Sequence, residues 1–131
     1  MNHKGKLLLV DGEPTIQENN KMVLERRGYS TRQAYTLAEA RTILADEPAD
    51  AVILDIRLSD GGAIPFLHEL RKNSNVPVLV MTNIDTPKEV LQGIEAVGGS
   101  YLAKPYRLDD LLDSTEALMQ RALQNKRGSP Q

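Results

Sequence analysis

The chain has 131 residues, 40% of them hydrophobic, which is the size of about one domain with a single core. Sixteen Lys and Arg residues against 18 Asp and Glu residues leave a formal net charge of -2, which gives no reason to expect direct nucleic acid binding or a membrane partner for this domain. The absence of cysteine excludes disulfides, thiolate metal sites and cysteine nucleophiles. The first apolar run, residues 7–10, is too short for a signal peptide or a membrane span, so we expect a cytoplasmic protein.

Short apolar runs alternate with segments of helical period along the chain. The runs occupy residues 6–10, 30–35, 51–55, 76–82 and 100–104. Between them, apolar residues recur at helical spacing, with start and stop signals such as Pro14, Gly28, Thr36 and Gly98. Strands that are apolar almost throughout and alternate with helices are typical of a parallel sheet covered on both faces. The sequence therefore predicts an α/β domain of five β-α units.

The last eight residues, "QNKRGSPQ", are polar and carry no apolar periodicity. Such a composition is typical of a disordered segment or of a linker. We therefore predict that the domain spans residues 1–124 and that residues 125–131 form a disordered tail or the start of a linker.

Polar and charged side chains lie at the predicted carboxyl ends of four strands. They are Asp11 with Glu13 just beyond it, Asp55, Thr82, and Lys104 with Pro105. In an open parallel sheet, ligands bind at the carboxyl ends of the strands, near the point where the strand order reverses. A carboxylate at the end of a buried strand is costly unless it is solvated, paired or bound to a metal. Two acids, a hydroxyl and an ammonium group are therefore predicted to share one edge of the sheet.

Four pieces of this pattern resemble the receiver domain of two-component response regulators. They are "LLLVDGEP", "AVILDIRLSDGG", "PVLVMTN" and "YLAKPY", and the resemblance covers about residues 6–124. It implies a (βα)5 flavodoxin-like fold, with a five-stranded parallel sheet in the order 2-1-3-4-5 and helices on both faces, an arrangement for which a receiver of this family is the standard example. It also implies a phosphoacceptor regulatory domain rather than an enzyme, with at most limited self-catalysed phosphoryl transfer and hydrolysis.

The resemblance assigns a role to each residue at this edge. Asp55 matches the phosphoacceptor, which would take a phosphoryl group from a phosphohistidine on a sensor histidine kinase or phosphotransfer protein. Lys104 would pair with one phosphoryl oxygen, and Thr82 would donate a hydrogen bond to another. Thr82, Tyr101 and Pro105 match the family's switch residues, with the Lys104-Pro105 bond expected to be cis.

Mg2+ is the implied cofactor, and one acid of the family's metal-binding pair is replaced by Gly12. The resemblance leaves Asp11, Asp55 and the backbone carbonyl of Arg57 as ligands. Mg2+ keeps several waters and usually binds through one or two carboxylates plus phosphate, so we expect weaker binding rather than none. Glu13 is a further candidate ligand, although an acid at this position also fits a helix start.

The predicted signalling surface comprises the fourth helix, the fifth strand and the fifth helix, roughly residues 87–124. It would act on a C-terminal output domain or on a separate target protein, and a homodimer through the same surface stays open. Four further residues depart from the family pattern near the site: Ser59, Ala63, Asn83 and Asn20. A buried amide at residue 20 would need hydrogen-bond partners.

Two functions from different classes remain open on the sequence. The first is a phosphoacceptor switch on Asp55, which is favoured because Asp55, Thr82 and Lys104 are all present. The second is a phosphorylation-independent interaction module with a degenerate metal site, which Gly12 would allow. A haloacid-dehalogenase-type phosphatase would need a second acid where Arg57 stands, and a flavodoxin would need a phosphate-binding loop after strand one that "DGEPTI" does not supply.

Overall fold

The computed structural model describes residues 4–127. In chain order the elements are β1 (Gly5–Val10), α1 (Pro14–Arg26), β2 (Tyr29–Ala34), α2 (Leu37–Asp46), β3 (Ala51–Asp55), β4 (Arg57–Leu58), β5 (Gly61–Gly62), α3 (Ala63–Arg71), β6 (Val78–Asn83), α4 (Lys88–Ala96), β7 (Ser100–Lys104) and α5 (Leu108–Arg127). None of the helices in this described span has the length and apolar character needed to cross a bilayer.

Five strands form one parallel sheet in the order β2-β1-β3-β6-β7. Since β6 and β7 are the fourth and fifth strands of this sheet, the observed order is the predicted 2-1-3-4-5. The strand order reverses between β1 and β3. The chain places β2 on one side of β1 and then crosses to place β3 on the other side. Beside the sheet, β4 and β5 form a two-stranded antiparallel hairpin that the sequence did not predict.

Alternate side chains of the central strands point to opposite faces and bury two apolar cores. On one face, Leu8 and Leu54 pack with residues of α2, α3 and α4. On the other face, Leu7 and Ile53 pack with residues of α1 and α5. A sheet covered on both sides explains why the central strands are apolar at nearly every position.

Helix α2 begins where the sequence predicts. The Thr36 hydroxyl accepts a hydrogen bond from the Glu39 backbone N–H at 3.1 Å, which caps the helix. A second cap comes from the hairpin, because the Asp60 carboxylate accepts the N–H groups of Leu37 at 2.9 Å and Ala38 at 3.0 Å. These backbone donors lower the pKa of Asp60 below its ordinary value. The loop after β3 is therefore tied to the start of α2.

Two arginines hold the carboxyl end of α4. Arg71 donates from Nε to the Val97 carbonyl at 2.7 Å and from a terminal nitrogen to the Val76 carbonyl at 2.8 Å. Arg121 of α5 donates to the Gly98 carbonyl at 3.0 Å. Cations at a helix carboxyl terminus satisfy its unpaired carbonyls and complement its dipole. The end of α4 is thus fixed to α3 and α5.

Helix α5 is longer than expected. The predicted domain boundary after residue 124 falls inside this helix, which continues to Arg127. Asn125 donates to the Asn75 carbonyl at 3.2 Å, so the last turns still contact the loop before β6. The rest of the predicted tail, residues 128–131, lies outside the described residues.

Candidate functional site

Three side chains from different strand ends converge at the carboxyl edge of the sheet. The Lys104 ammonium nitrogen lies 3.2 Å from Asp55 Oδ1 and 3.7 Å from Asp11 Oδ2. Asp11 is only 6% exposed, and the side chains of Asp55 and Lys104 are mostly buried. The structure therefore brings Asp11, Asp55 and Lys104 together at this edge of the sheet.

Backbone donors fix one oxygen of each carboxylate. Asp11 Oδ1 accepts the Glu13 N–H at 2.9 Å, and Asp55 Oδ1 accepts the Ile56 N–H at 2.8 Å. Burial raises the pKa of Asp11 above its ordinary value, and the nearby Asp55 charge adds to this, while the Glu13 N–H and the Lys104 ammonium oppose it. A buried carboxylate of this kind is poorly solvated, so the neighbouring Lys104 ammonium stabilises its charged form.

The Lys104-Pro105 peptide bond is cis, as predicted. Lys104 is the last residue of β7, and Asn83, its register partner, is the last residue of β6. The Asn83 side chain is exposed, and its backbone N–H donates to the Thr86 hydroxyl at 3.0 Å. The turn between β6 and α4 is thereby ordered beside the lysine.

An open cleft of about 580 Å3 lies against Asp55. Its polar lining includes Arg57, Asn83, Thr86 and Lys104, and its other walls come from the starts of α3 and α4. Asp55 is therefore reachable from solvent on one side, although it is the end of a buried strand. Such an arrangement suits a nucleophilic carboxylate that must meet an incoming group.

Thr82 and Tyr101 lie where the sequence pattern places them, on β6 and β7. Thr82 is 1% exposed, and its hydroxyl has no hydrogen-bond partner among residues 4–127. Tyr101 is 39% exposed and pairs in register with Val80. A buried hydroxyl with an unused donor is available to a new acceptor, which is the property that the family pattern assigns to Thr82.

The residues present fit a Mg2+ ion, with fewer acids than usual. Asp11 and Asp55 both lie within 4 Å of one ammonium nitrogen, so a divalent ion near that position could reach both carboxylates. Within residues 4–127 no group of three or more His, Cys, Asp or Glu residues is arranged to hold a metal. The exposed Glu13 is the residue before α1, and its side chain makes no capping hydrogen bond. It stays an open candidate, as does the Arg57 carbonyl.

Gly12 is not required by the backbone. Its φ angle lies outside the left-handed region, and a Cβ added there would meet only the Tyr35 carbonyl oxygen, at 3.7 Å. That distance is an ordinary van der Waals contact. A Cβ atom would therefore fit at residue 12, and the backbone there does not need glycine.

The sequence did not predict that Gln17 is buried next to the site, and it did not predict a hydrogen-bond partner for Asn20. Gln17 is 1% exposed, and its Nε2 lies within 3.1 Å of three backbone carbonyls at the ends of β1 and β2. Asn20, expected near the apolar stripe of α1, is 7% exposed and accepts a 3.0 Å hydrogen bond from the Tyr106 hydroxyl. The signal for Asn20 was present, since residues 20 and 24 share one helix face.

Comparison with known proteins gives one consistent result. A family model described as the response regulator receiver domain matches residues 7–116. The response regulator MprA of Mycobacterium avium is 31% identical over 117 residues, which cover 88% of this chain and 51% of that protein. This chain therefore spans about half the length of the curated relatives that it matches.

Solved structures agree with the family model. A two-component response regulator from Clostridium difficile has a TM-score of 0.82 and 30% identity, over 88% of this chain and 96% of that one. NtrX from Brucella abortus has a TM-score of 0.86 and 23% identity, over 95% of this chain and 29% of that one, which is a likeness of fold alone. The chain belongs to the response regulator receiver domains, which are phosphoacceptor regulatory domains of two-component signal transduction rather than enzymes.

Proposed function

We propose that this receiver domain is a working phosphoacceptor switch in which Asp55 accepts the phosphoryl group. The observation that carries the proposal is the Lys104 ammonium, which lines the cleft and lies 3.2 Å from Asp55 Oδ1 and 3.7 Å from Asp11 Oδ2. A cation at this position would stabilise the negative charge that develops on a transferring phosphoryl group. The side of Asp55 that faces the cleft is accessible to an incoming phosphoryl group.

The transfer would proceed by attack of an Asp55 carboxylate oxygen on the phosphorus of a partner's phosphohistidine. A carboxylate–phosphorus bond forms as the phosphorus–nitrogen bond breaks, and the imidazole leaves with the electron pair and takes up a proton from water. The product is an acyl phosphate on Asp55 and a free histidine on the partner. The response regulator family implies a histidine kinase as that partner, and a phosphotransfer protein would serve equally.

Receiver domains generally bind Mg2+. When bound, the ion would supply further charge neutralisation for the phosphoryl oxygens. Asp11, Asp55 and the Arg57 carbonyl would hold it, and Gly12 would make the binding weaker than three acids allow. Lys104 would pair with one phosphoryl oxygen.

The output would come from a shift between two packings. The buried Thr82 hydroxyl, which has no partner among the described residues, would donate to a phosphoryl oxygen, and Tyr101 would move from its half-exposed position into the space beside it. The surface formed by α4, β7 and α5 would change, and a C-terminal output domain, a separate target or a second copy would read that change. In this proposal the receiver domain ends with α5, and a tail or linker follows.

A second function is favoured by one observation. The described residues contain no group of three acids that could hold a metal, although the backbone at Gly12 has room for a Cβ atom. A receiver that had lost phosphorylation and acted as a constitutive interaction module would tolerate a glycine at this position.

Intact-mass spectrometry separates the two functions. Wild type, Asp55→Asn and Gly12→Asp would each be incubated with acetyl phosphate, with and without Mg2+. A Mg2+-dependent phosphoryl adduct on wild type that is absent in Asp55→Asn supports the switch, and Gly12→Asp should form it at lower Mg2+. An adduct on Gly12→Asp alone would instead make the natural chain an interaction module, and an undiminished adduct on Asp55→Asn would remove Asp55 as the acceptor.

A further inference from the structure

The inner face of α1 is unusually polar. Its three buried residues are Gln17, Asn20 and Leu24, so two of the three are amides. A helix normally buries apolar side chains against the sheet, because a buried amide loses its hydration and must recover it through hydrogen bonds. The neighbouring Leu24 shows that the same face can pack in the apolar core.

The Gln17 amide group donates hydrogen bonds to backbone carbonyls at the ends of two strands. Its Nε2 donates to the carbonyls of Ala34 at 2.8 Å, Asp11 at 3.0 Å and Leu9 at 3.1 Å. The two hydrogens of the amide are thus shared among three acceptors. Its own Oε1 is buried and has no partner among residues 4–127. An apolar side chain in this place would avoid that unsatisfied oxygen, but it would leave the Asp11 carbonyl without the amide hydrogen bond that it now accepts.

The contacts of Gln17 determine how Asp11 is presented. The Asp11 peptide is held from both sides, by Gln17 on its carbonyl and by the Ala34 carbonyl, which accepts its N–H at 3.1 Å. Its Oδ1 is held by the Glu13 N–H. Of the carboxylate, Oδ2 is the oxygen that faces Lys104. We call the cluster of Asp11, Asp55 and Lys104 the acid pocket. Because the next residue in the chain is Gly12, Asp11 Oδ2 is the carboxylate oxygen that the end of β1 directs into this pocket.

We propose that Gln17 is a positioning residue that fixes the Asp11 carboxylate for cation binding in the acid pocket. This inference rests on the metal part of the proposed function. The amide acts through the backbone: it holds the turn between β1 and α1 against β2, and the turn aims Oδ2 at the site. A receiver with only one acid on strand one depends on the placement of that acid more than a receiver with two.

The test is a Mg2+ titration of 15N-labelled protein, followed by NMR at the Glu13 and Ile56 amides, which donate to the two site carboxylates. Gln17→Met keeps the length of the side chain and removes the amide. Thr115→Val is the matched control, since Thr115 is 0% exposed and its hydroxyl donates to the Leu111 carbonyl at 2.8 Å within α5, a comparable buried hydrogen bond outside the acid pocket. Each variant is made in the natural chain and in Gly12→Asp.

We expect Gln17→Met to raise the dissociation constant for Mg2+ by about three- to tenfold, the effect of losing about one oriented hydrogen bond, while Thr115→Val leaves it unchanged. An unchanged constant for Gln17→Met in both backgrounds overturns the proposal, as does an equal loss in the control. No Mg2+ binding by either background also overturns it. If the natural chain forms no phosphoryl adduct but Gln17→Met still weakens Mg2+ binding in Gly12→Asp, the switch function fails and this inference stands.

Discussion

The hydrogen bond between Tyr106 and Asn20 can be measured with a double-mutant cycle. The Tyr106 hydroxyl lies 3.0 Å from Asn20 Oδ1, and it links the loop after Lys104 to the buried face of α1. Tyr106→Phe leaves the nearly buried Asn20 oxygen without its donor, which should cost about 1–3 kcal/mol of unfolding free energy. Asn20→Leu removes the acceptor but adds apolar burial, so we expect a loss of about 1 kcal/mol or less. The double variant replaces the polar pair by an apolar one and should lose less than the two single variants together.

Urea unfolding followed by far-UV circular dichroism gives the four free energies. We expect a coupling of about 1–2 kcal/mol, in the sense that the second substitution is less harmful once the first is present. Equal m-values across the four proteins would show that their denatured states are comparable. If the single losses add to within about 0.5 kcal/mol, the Tyr106 hydroxyl and Asn20 are not energetically coupled, and the link between the lysine loop and α1 is refuted.

Three other predictions test the site and its frame. Because burial raises the pKa of Asp11, its charged form lowers the stability of the fold as the pH rises through the folded-state pKa. Asp11→Asn should therefore be more stable than wild type at pH 7 and gain little at pH 3. A less stable variant at pH 7 in urea unfolding would contradict this. Thr36→Ala removes the cap of α2 and should lower the free energy of unfolding by about 1 kcal/mol. Thr42→Ala, at an exposed site inside α2, should lower it by less than about 0.5 kcal/mol. Equal losses in the two variants would show that the cap does not stabilise the helix. Arg71→Met should speed amide exchange at the end of α4 by about tenfold and leave α1 unchanged, while a uniform change would indicate global destabilisation.

The sheet was predictable because its strands are buried on both faces. Such strands read as short apolar runs, and the helices between them carry clear signals such as Pro14 at the start of α1 and Thr36 before α2. The convergence of Asp11, Asp55 and Lys104 followed from a single rule, that the carboxyl ends of parallel strands meet at one edge. The family pattern then supplied the strand order.

The hairpin β4–β5 and the support of Asp11 were not predictable from the same signals. A two-residue strand is too short to show periodicity, and the hairpin forms over "RLSDGG", which reads as a turn. Gln17 looks like a surface residue because glutamine is mostly exposed in proteins. Its burial depends on three carbonyls brought together by β1 and β2, which no local pattern contains. The end of α5 was missed because polar residues continue a docked helix as well as they begin a linker.

The arginine contacts fix only the carboxyl end of α4, which determines how the helix would tilt. Arg71 and Arg121 pin the end near Gly98, while the other end, at Pro87, borders the cleft beside Asp55. The nine residues of α4 span about 13 Å, so a tilt of about 10° around the pinned end would move the cleft end by about 2 Å. An event in the cleft that pushes on α4 would then displace the cleft end of the helix most, and the displacement would decrease along the helix toward the arginines.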